Sequence, residues 1–163
     1  MNAARNGGPM RQAELLRYLV LAAQREGNRQ LTLKLAGIGL TPAQSEALRI
    51  LADHGPLALT GLGDMLVCDS GTNPSRLADR LVTAGLVERG SAPDDRRRIT
   101  LALTAAGRSA NDEVRRIEDD FYDTLDAAGE QIDVSAAIEL LRRVCAGSPA
   151  ARALQNRIDA QGA

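Results

Sequence analysis

The chain has 163 residues, 44% of them hydrophobic, with 20 lysines and arginines against 21 acids and a net charge of -1. That is enough chain for one domain with a real core, or a domain plus an extension, and too balanced a charge for a protein that coats nucleic acid indiscriminately. The only aromatics are Tyr18, Phe121 and Tyr122, so the core must be aliphatic, and Cys68 and Cys145 stand far apart with no CxxC or Cys/His cluster, which argues against a zinc site.

Residues 1–9 carry Asn, Gly and Pro without periodicity and read as a flexible arm, the alternative being a phosphate contact from Arg5 or Arg11. From residue 10 to 36 the pattern is helical, with Leu15, Leu16, Leu19, Val20, Ala22 and Ala23 forming a wide apolar stripe. Gly27-Asn28 is a place for a kink or break, and Leu31, Leu33 and Leu35 alternate briefly in a way that suits either strand or helix. Gly37-Ile38-Gly39 ends the segment.

Thr41 as N-cap with Pro42 at the first helical position starts the next helix, which buries Ala47, Leu48, Ile50 and Leu51 and ends near His54-Gly55-Pro56. Leu57-Ala58-Leu59 then bridges to a short helix capped by Thr60, with Gly63 and Asp64 in its first turn and Leu62, Met65 and Leu66 on its apolar face. A second helix follows, with Asn73 as N-cap and Pro74 at its start. Leu77, Leu81 and Val82 mark its buried side, while Thr72, Ser75, Arg76, Asp79, Arg80 and Thr83 occupy the other. Gly85 fits the position where a helix stops in a left-handed turn.

After Gly85 the period changes. Leu86-Val87-Glu88-Arg89 and Ile99-Thr100-Leu101-Ala102-Leu103 read as two strands, joined by a loop over 90–98 that contains Gly, Ser, Pro and Asp and ends in Arg96-Arg97-Arg98. Three consecutive like charges on a hairpin tip repel one another, so the arrangement makes sense where the tip meets a polyanion. Between Arg76 and Arg98 there are six arginines against four acids, a local basic edge on a near-neutral body. Helix, turn, helix and hairpin in this order form a winged helix-turn-helix, whose second helix can fill a major groove. In such a fold Leu57-Ala58-Leu59 adds a third short strand.

Thr104 caps a long helix in which Ala110, Val114, Ile117, Phe121 and Leu125 form the apolar side and Gly129 is the stop. Asp133 caps a further helix expected to bury Val134, Ala137, Ile138, Leu141 and Val144; Gly147-Ser148-Pro149 breaks it, and Pro149 starts a last helix with Leu154 and Ile158. Apolar stripes at both ends of the chain suggest that the termini meet in a helical dimerisation layer. The fold expected is mainly α with a small β-hairpin: an arm over 1–9, a dimerisation helix over 10–38, a winged helix-turn-helix over 40–104, and dimerisation helices over 105–160.

The run Leu81, Gly85-Leu86-Val87-Glu88-Arg89, Asp94-Asp95-Arg96-Arg97, Leu103-Thr104 and Gly107 resembles the signature of the MarR family of bacterial transcription regulators: a leucine, a GLV-R strand start, a DRR-bearing wing and an LT-x-x-G helix entry. With the flanking helices, the resemblance covers most of the chain. It implies a homodimer built from the terminal helices that reads a pseudo-palindromic double-stranded DNA operator, with half-sites about 34 Å apart. It also implies that Asp95 and Arg97 occupy the wing positions that pair so that an arginine enters the minor groove, where narrow A·T-rich DNA attracts it. Many family members hold a small aromatic or phenolic effector between the dimer layer and the winged module; Arg17, Tyr18, Arg49, His54 and Phe121 lie on elements able to border that cleft. Some members sense peroxides through a cysteine near the N-terminus, where this chain has none.

On this reading Ser70, Thr72, Asn73, Ser75, Arg76 and Arg80 are the helix residues that meet bases and phosphates, because arginine can grip guanine and asparagine adenine through paired hydrogen bonds. Arg96, Arg97 and Arg98 serve the wing, with Arg98 turning away as the strand alternates, and Asp79 buttresses a wing arginine. Against this stands the plain reading of a solvated helix face and a loop with local ion pairs. Cys68, just before the second helix, is either a buried apolar residue or a redox-sensitive thiol; Cys145 reads as core or dimer packing. A release mechanism would have an effector or oxidant favour a dimer with mis-spaced recognition helices. The rival is a winged-helix protein-interaction module that does not bind DNA. An enzyme is disfavoured because the sequence offers no nucleophile–base pair, metal cluster or phosphate loop, and no cofactor is expected. The absence of a signal-peptide pattern or a long apolar run points to the cytoplasm.

Overall fold

A computed structural model describes residues 9–67, 73–91 and 99–162. The chain opens with α1 (Gln12–Ala36), a single helix of 25 residues. No break falls at Gly27-Asn28; Gly27 faces a ring there, since a Cβ on it would sit 3.4 Å from Phe121 Cζ. The Leu31–Leu35 segment, compatible with either structure in the sequence, is the last part of this helix, and Leu35 is fully buried.

The next helix, α2 (Pro42–His54), begins with a reciprocal cap. Thr41 Oγ1 accepts from Gln44 N at 3.3 Å, and Gln44 Oε1 accepts from Thr41 N at 2.9 Å, so two otherwise orphaned amides are satisfied. Gly55, at φ 72°, takes the left-handed turn that ends it. Ala47, Leu48, Ile50 and Leu51 are buried and form the centre of the core together with Leu62, Leu77, Leu81, Val87, Leu101, Leu103 and Val114. At about 1.5–3 kcal/mol for each fully buried aliphatic side chain, this cluster is the main source of the module's stability.

The strand β1 (Leu57–Ala58) leads directly into α3 (Leu59–Gly63). Two expectations need correction here. Thr60 does not cap α3: the N-cap is Ala58, with no side-chain bond, and Thr60 lies one residue inside the helix. Gly63 ends α3 and Asp64 is its C-cap, so neither belongs to the first turn. The helix starts early because β1 hands its chain straight to it, leaving no loop residue for a side-chain cap.

The helix α4 (Pro74–Thr83) starts where Asn73-Pro74 predicts, with Asn73 Oδ1 accepting from Ser75 N at 2.8 Å. It buries Leu77, Ala78 and Leu81, and Gly85 turns the chain at φ 72°. The hairpin strands are β2 (Val87–Ser91) and β3 (Ile99–Leu103), in a sheet of order β1-β3-β2, antiparallel throughout. The register pairs Leu57 with Leu101, Val87 with Leu103 and Ser91 with Ile99. Gly90 and Ser91, expected in the loop, are therefore strand residues, and Leu86 precedes the strand; pairing with Thr100 and Ile99 outweighs their turn chemistry.

Thr104 caps α5 (Ala105–Gly129), accepting from Gly107 N at 3.0 Å, while its hydroxyl donates to Gly85 O at 2.7 Å. Leu86 O accepts from Thr104 N at 3.1 Å. Gly107 allows this closeness, since a Cβ there would stand 1.9 Å from Leu86 O. The chain then forms α6 (Val134–Cys145), capped by Asp133, and α7 (Pro149–Gln161), capped by Ser148.

The terminal helices correct a further expectation. Within the single chain α6 buries none of its residues: Val134, Ala137, Ile138, Leu141 and Val144 are all exposed, Val144 at 68%. Leu154 and Ile158 of α7 are exposed as well, and Ala153 is its buried residue. Leu15, Leu16, Leu19 and Val20 of α1 share this fate. The stripes exist, but the chain itself does not cover them. Cys145 is likewise a free, exposed thiol rather than part of the core.

Candidate nucleic-acid interface

The side chains of α4 divide cleanly. Leu77, Ala78 and Leu81 point into the core, and Arg76, Asp79 and Arg80 are exposed on the far side. Arg76 and Arg80 sit four residues apart on one helical face, and among the described residues neither meets an acid. Ser75 is half-buried. Asn73 is exposed, but its side-chain oxygen is engaged in the cap, which takes away half of the paired grip on adenine expected for it.

Among the described residues Asp79 does hold an arginine, on β2: Arg89 Nη2 donates to Asp79 Oδ1. The motif by itself assigns Arg89 no role. The clue was available, since Gly85 folds the chain back between them and sets residue 89 beside residue 79. Ser70, Thr72, Asp95, Arg96, Arg97 and Arg98, and with them Cys68, lie outside the described residues. Ser91 and Ile99, the strand ends that flank residues 92–98, are paired with each other.

The five residues suggested for an effector cleft have separate surroundings. Arg17 stacks over the ring of its neighbour Tyr18, 5.1 Å to the centroid, on the exposed part of α1. Arg49 is 16% exposed and lies 2.9 Å from Glu118 Oε2 and 3.7 Å from Asp53 Oδ2, so the carboxylates it receives belong to the chain itself. Burial pushes the Glu118 carboxyl upward, against the opposing pull of Arg49 and Arg157. Phe121 packs on Gly27 and lies 6.2 Å from the Tyr122 ring, and His54 closes α2 with Nε2 buried and unbonded. A cleft of about 620 Å³ between the end of α2, β3 and α5 is lined by none of the five; its walls include Leu51, Pro56, Leu103, Arg108, Asn111 and Arg115.

A short helix, a turn, a capped second helix and a three-stranded sheet whose hairpin carries arginines define a winged helix-turn-helix. Known proteins resemble this chain. A sequence profile of the MarR family matches residues 38–98, from just before α2 to the residue before β3. The chain is 32% identical over 90 residues to the organic hydroperoxide resistance transcriptional regulator of Bacillus subtilis (strain 168), a stretch covering 55% of this chain and 60% of that protein. It is 31% identical over 87 residues to the transcriptional regulator FarR of Neisseria gonorrhoeae, covering 53% of this chain and 59% of that one. These matches thus span about three fifths of the length of each relative. Among solved structures, wild-type MarR from E. coli in its apo form superposes with a TM-score of 0.62 at 26% identity, over 79% of this chain and 96% of that one. A mutant MarR from E. coli complexed with operator DNA shares the fold at a TM-score of 0.66 and 23% identity, over 85% and 99% of the two chains. Over residues 38–98 the chain is similar in sequence to MarR-family regulators, and it shares their fold. No helix among the described residues is long and apolar enough to cross a membrane.

Proposed function

We propose that this chain is a sequence-specific DNA-binding transcription regulator, acting in the cytoplasm as a homodimer on a pseudo-palindromic operator. One observation carries the reading: α4 presents Arg76 and Arg80, exposed and with no acid partner among the described residues, on the side opposite its buried leucines, beside a hairpin whose loop holds Arg96, Arg97 and Arg98. Among the described residues Arg76 and Arg80 meet no internal acceptor, and a major groove supplies such acceptors. Arg76 and Arg80 contact bases or phosphates from α4, with Ser70, Thr72 and Ser75 near its start, and Arg97 enters the minor groove.

The second copy covers the apolar residues left open on α1, α6 and α7, which places the two reading helices on one face of the DNA. The regulator is a repressor whose operator is released when a small aromatic or phenolic molecule, or an oxidant, favours a differently spaced dimer. It is a regulator rather than an enzyme, a reading supported by the names of both relatives.

The test is a gel shift on a duplex selected by the chain from a random pool, across a salt series. The reading expects a steep loss of affinity as salt rises, and at least tenfold weaker binding for Arg76→Ala and for Arg97→Ala with the dimer intact. Salt-insensitive association, or capture of proteins in place of DNA, would instead make the module a protein-docking surface.

A further inference from the structure

The last helix reaches back to the reading module by a route the function above does not use. Glu46 of α2 is 7% exposed, and its Oε1 accepts from Val67 N at 2.9 Å. Val67 lies in the turn between α3 and α4. On the other side of that oxygen stands Arg157 of α7, with Nη1 at 3.4 Å. One residue earlier, Asn156 Nδ2 donates to Asp64 O at 3.0 Å, at the C-cap of α3. The end of α3 in turn touches the first residue of the recognition helix: a Cβ on Gly63 would be 3.3 Å from Pro74 Cγ.

We infer that Arg157 and Asn156 are positioning residues for the recognition helix, making α7 a strut between the dimer layer and the DNA-reading module. The physical reason lies in Glu46. A carboxylate this buried is costly unless donors surround it, and the Val67 amide and the Arg157 guanidinium are two of the groups that hold it. Loss of Arg157 weakens the hold on the carboxylate, and through it on the turn; loss of Asn156 frees the carbonyl of Asp64. Meanwhile Leu154 and Ile158 of the same helix, 44% and 40% exposed, are open to a second copy of the chain. A change in how two copies pack along α7 is thereby transmitted to Asp64, Val67 and Pro74 without passing through α5. This role rests on the DNA-binding reading; the contacts themselves do not.

The test uses the 163-residue chain with Asn156→Ala and Arg157→Gln combined, neither side chain belonging to the apolar core, with Arg157→Lys as the conservative control. Two quantities are read: hydrogen exchange at the Val67 amide, and affinity for the selected duplex against an unselected duplex of equal length. The expected result is exchange at Val67 faster by about tenfold, selected-duplex affinity lower by about tenfold, and unselected affinity unchanged, with Arg157→Lys recovering most of the loss. Unchanged exchange at Val67 overturns the inference, and so does an equal fall on both duplexes, which would signify general loosening. If the unaltered chain selects no duplex, the proposed function fails, and the exchange rate alone decides whether α7 braces the turn.

Discussion

Asp79 and Arg89 are joined as an ion pair across the turn at Gly85, tying the exposed face of the recognition helix to the strand that enters the wing. Both side chains are about half exposed, at 55% and 48%. A pair so open to solvent contributes at most about 1 kcal/mol to stability. Its effect is on orientation, since it keeps an acid on the helix proposed to read DNA neutralised and a guanidinium in place. Arg89→Leu is expected to weaken selected-duplex affinity about fivefold while moving Tm by no more than about 3 °C. Fluorescence anisotropy and a thermal scan measure the two; a large fall in Tm with unchanged affinity would make the pair structural.

The uncovered apolar residues of the terminal helices predict a monomer–dimer switch. Val144→Asp on α6 or Leu19→Asp on α1 places a charge where a second copy is proposed to pack, at 68% and 57% exposure in the isolated chain. Neither residue supports the core of its own chain, so the helical signal by circular dichroism should persist. Light scattering after size exclusion should show the mass halved, whereas an unchanged dimer would mean that the two copies meet elsewhere.

Gly107 allows no side chain. Alanine there would drive its Cβ against the Leu86 carbonyl, which is backbone and cannot rotate aside. Gly107→Ala is expected to cost on the order of 3 kcal/mol, lowering Tm by about 6–12 °C. Gly90→Ala, whose Cβ would lie 3.7 Å from Thr100 Oγ1, is the control and should fall far less.

The Arg49–Glu118 contact gives a pH signature. Burial raises the Glu118 carboxyl above its ordinary range, so the folded chain binds a proton there more readily than the unfolded chain. The sign follows: this group favours folding below the ordinary carboxylate range, and that contribution is lost as pH rises through the raised folded value. Denaturant titrations of the chain and of Glu118→Gln should therefore diverge, the unaltered chain losing stability relative to the variant as pH rises from about 4 toward neutrality. Parallel curves would mean that Arg49 and Arg157 offset the burial completely.

The legible parts of the sequence were those governed by local chemistry. Thr41-Pro42, Asn73-Pro74, Thr104 and Asp133 each announced a helix start that the structure places at the same residue, because a cap is decided within a few residues. Thr60 misled, since the same residue type inside a first turn looks no different in sequence from a cap before it. Gly90 and Ser91 misled for another reason: their strand state is imposed by Thr100 and Ile99 across the hairpin. The α6 stripe was visible, but periodicity tells which side is apolar and not whose surface covers it. In the reading face, Arg76 and Arg80 followed from the helical phase, whereas the Asp79–Arg89 pair and the Glu46–Val67–Arg157 group needed coordinates, because their members are brought together by turns and by residues far apart in the chain.

The junction at Leu86, Thr104 and Gly107 sets where the molecule can flex. With the Leu86 carbonyl pressed on Gly107 and bonded to the Thr104 amide, and the Thr104 hydroxyl bonded to Gly85, the root of α5 is welded to the turn behind the recognition helix. No hinge is available at that joint. In the proposed dimer, any swing of one module relative to the other is therefore expected farther along α5, past the buried Val114.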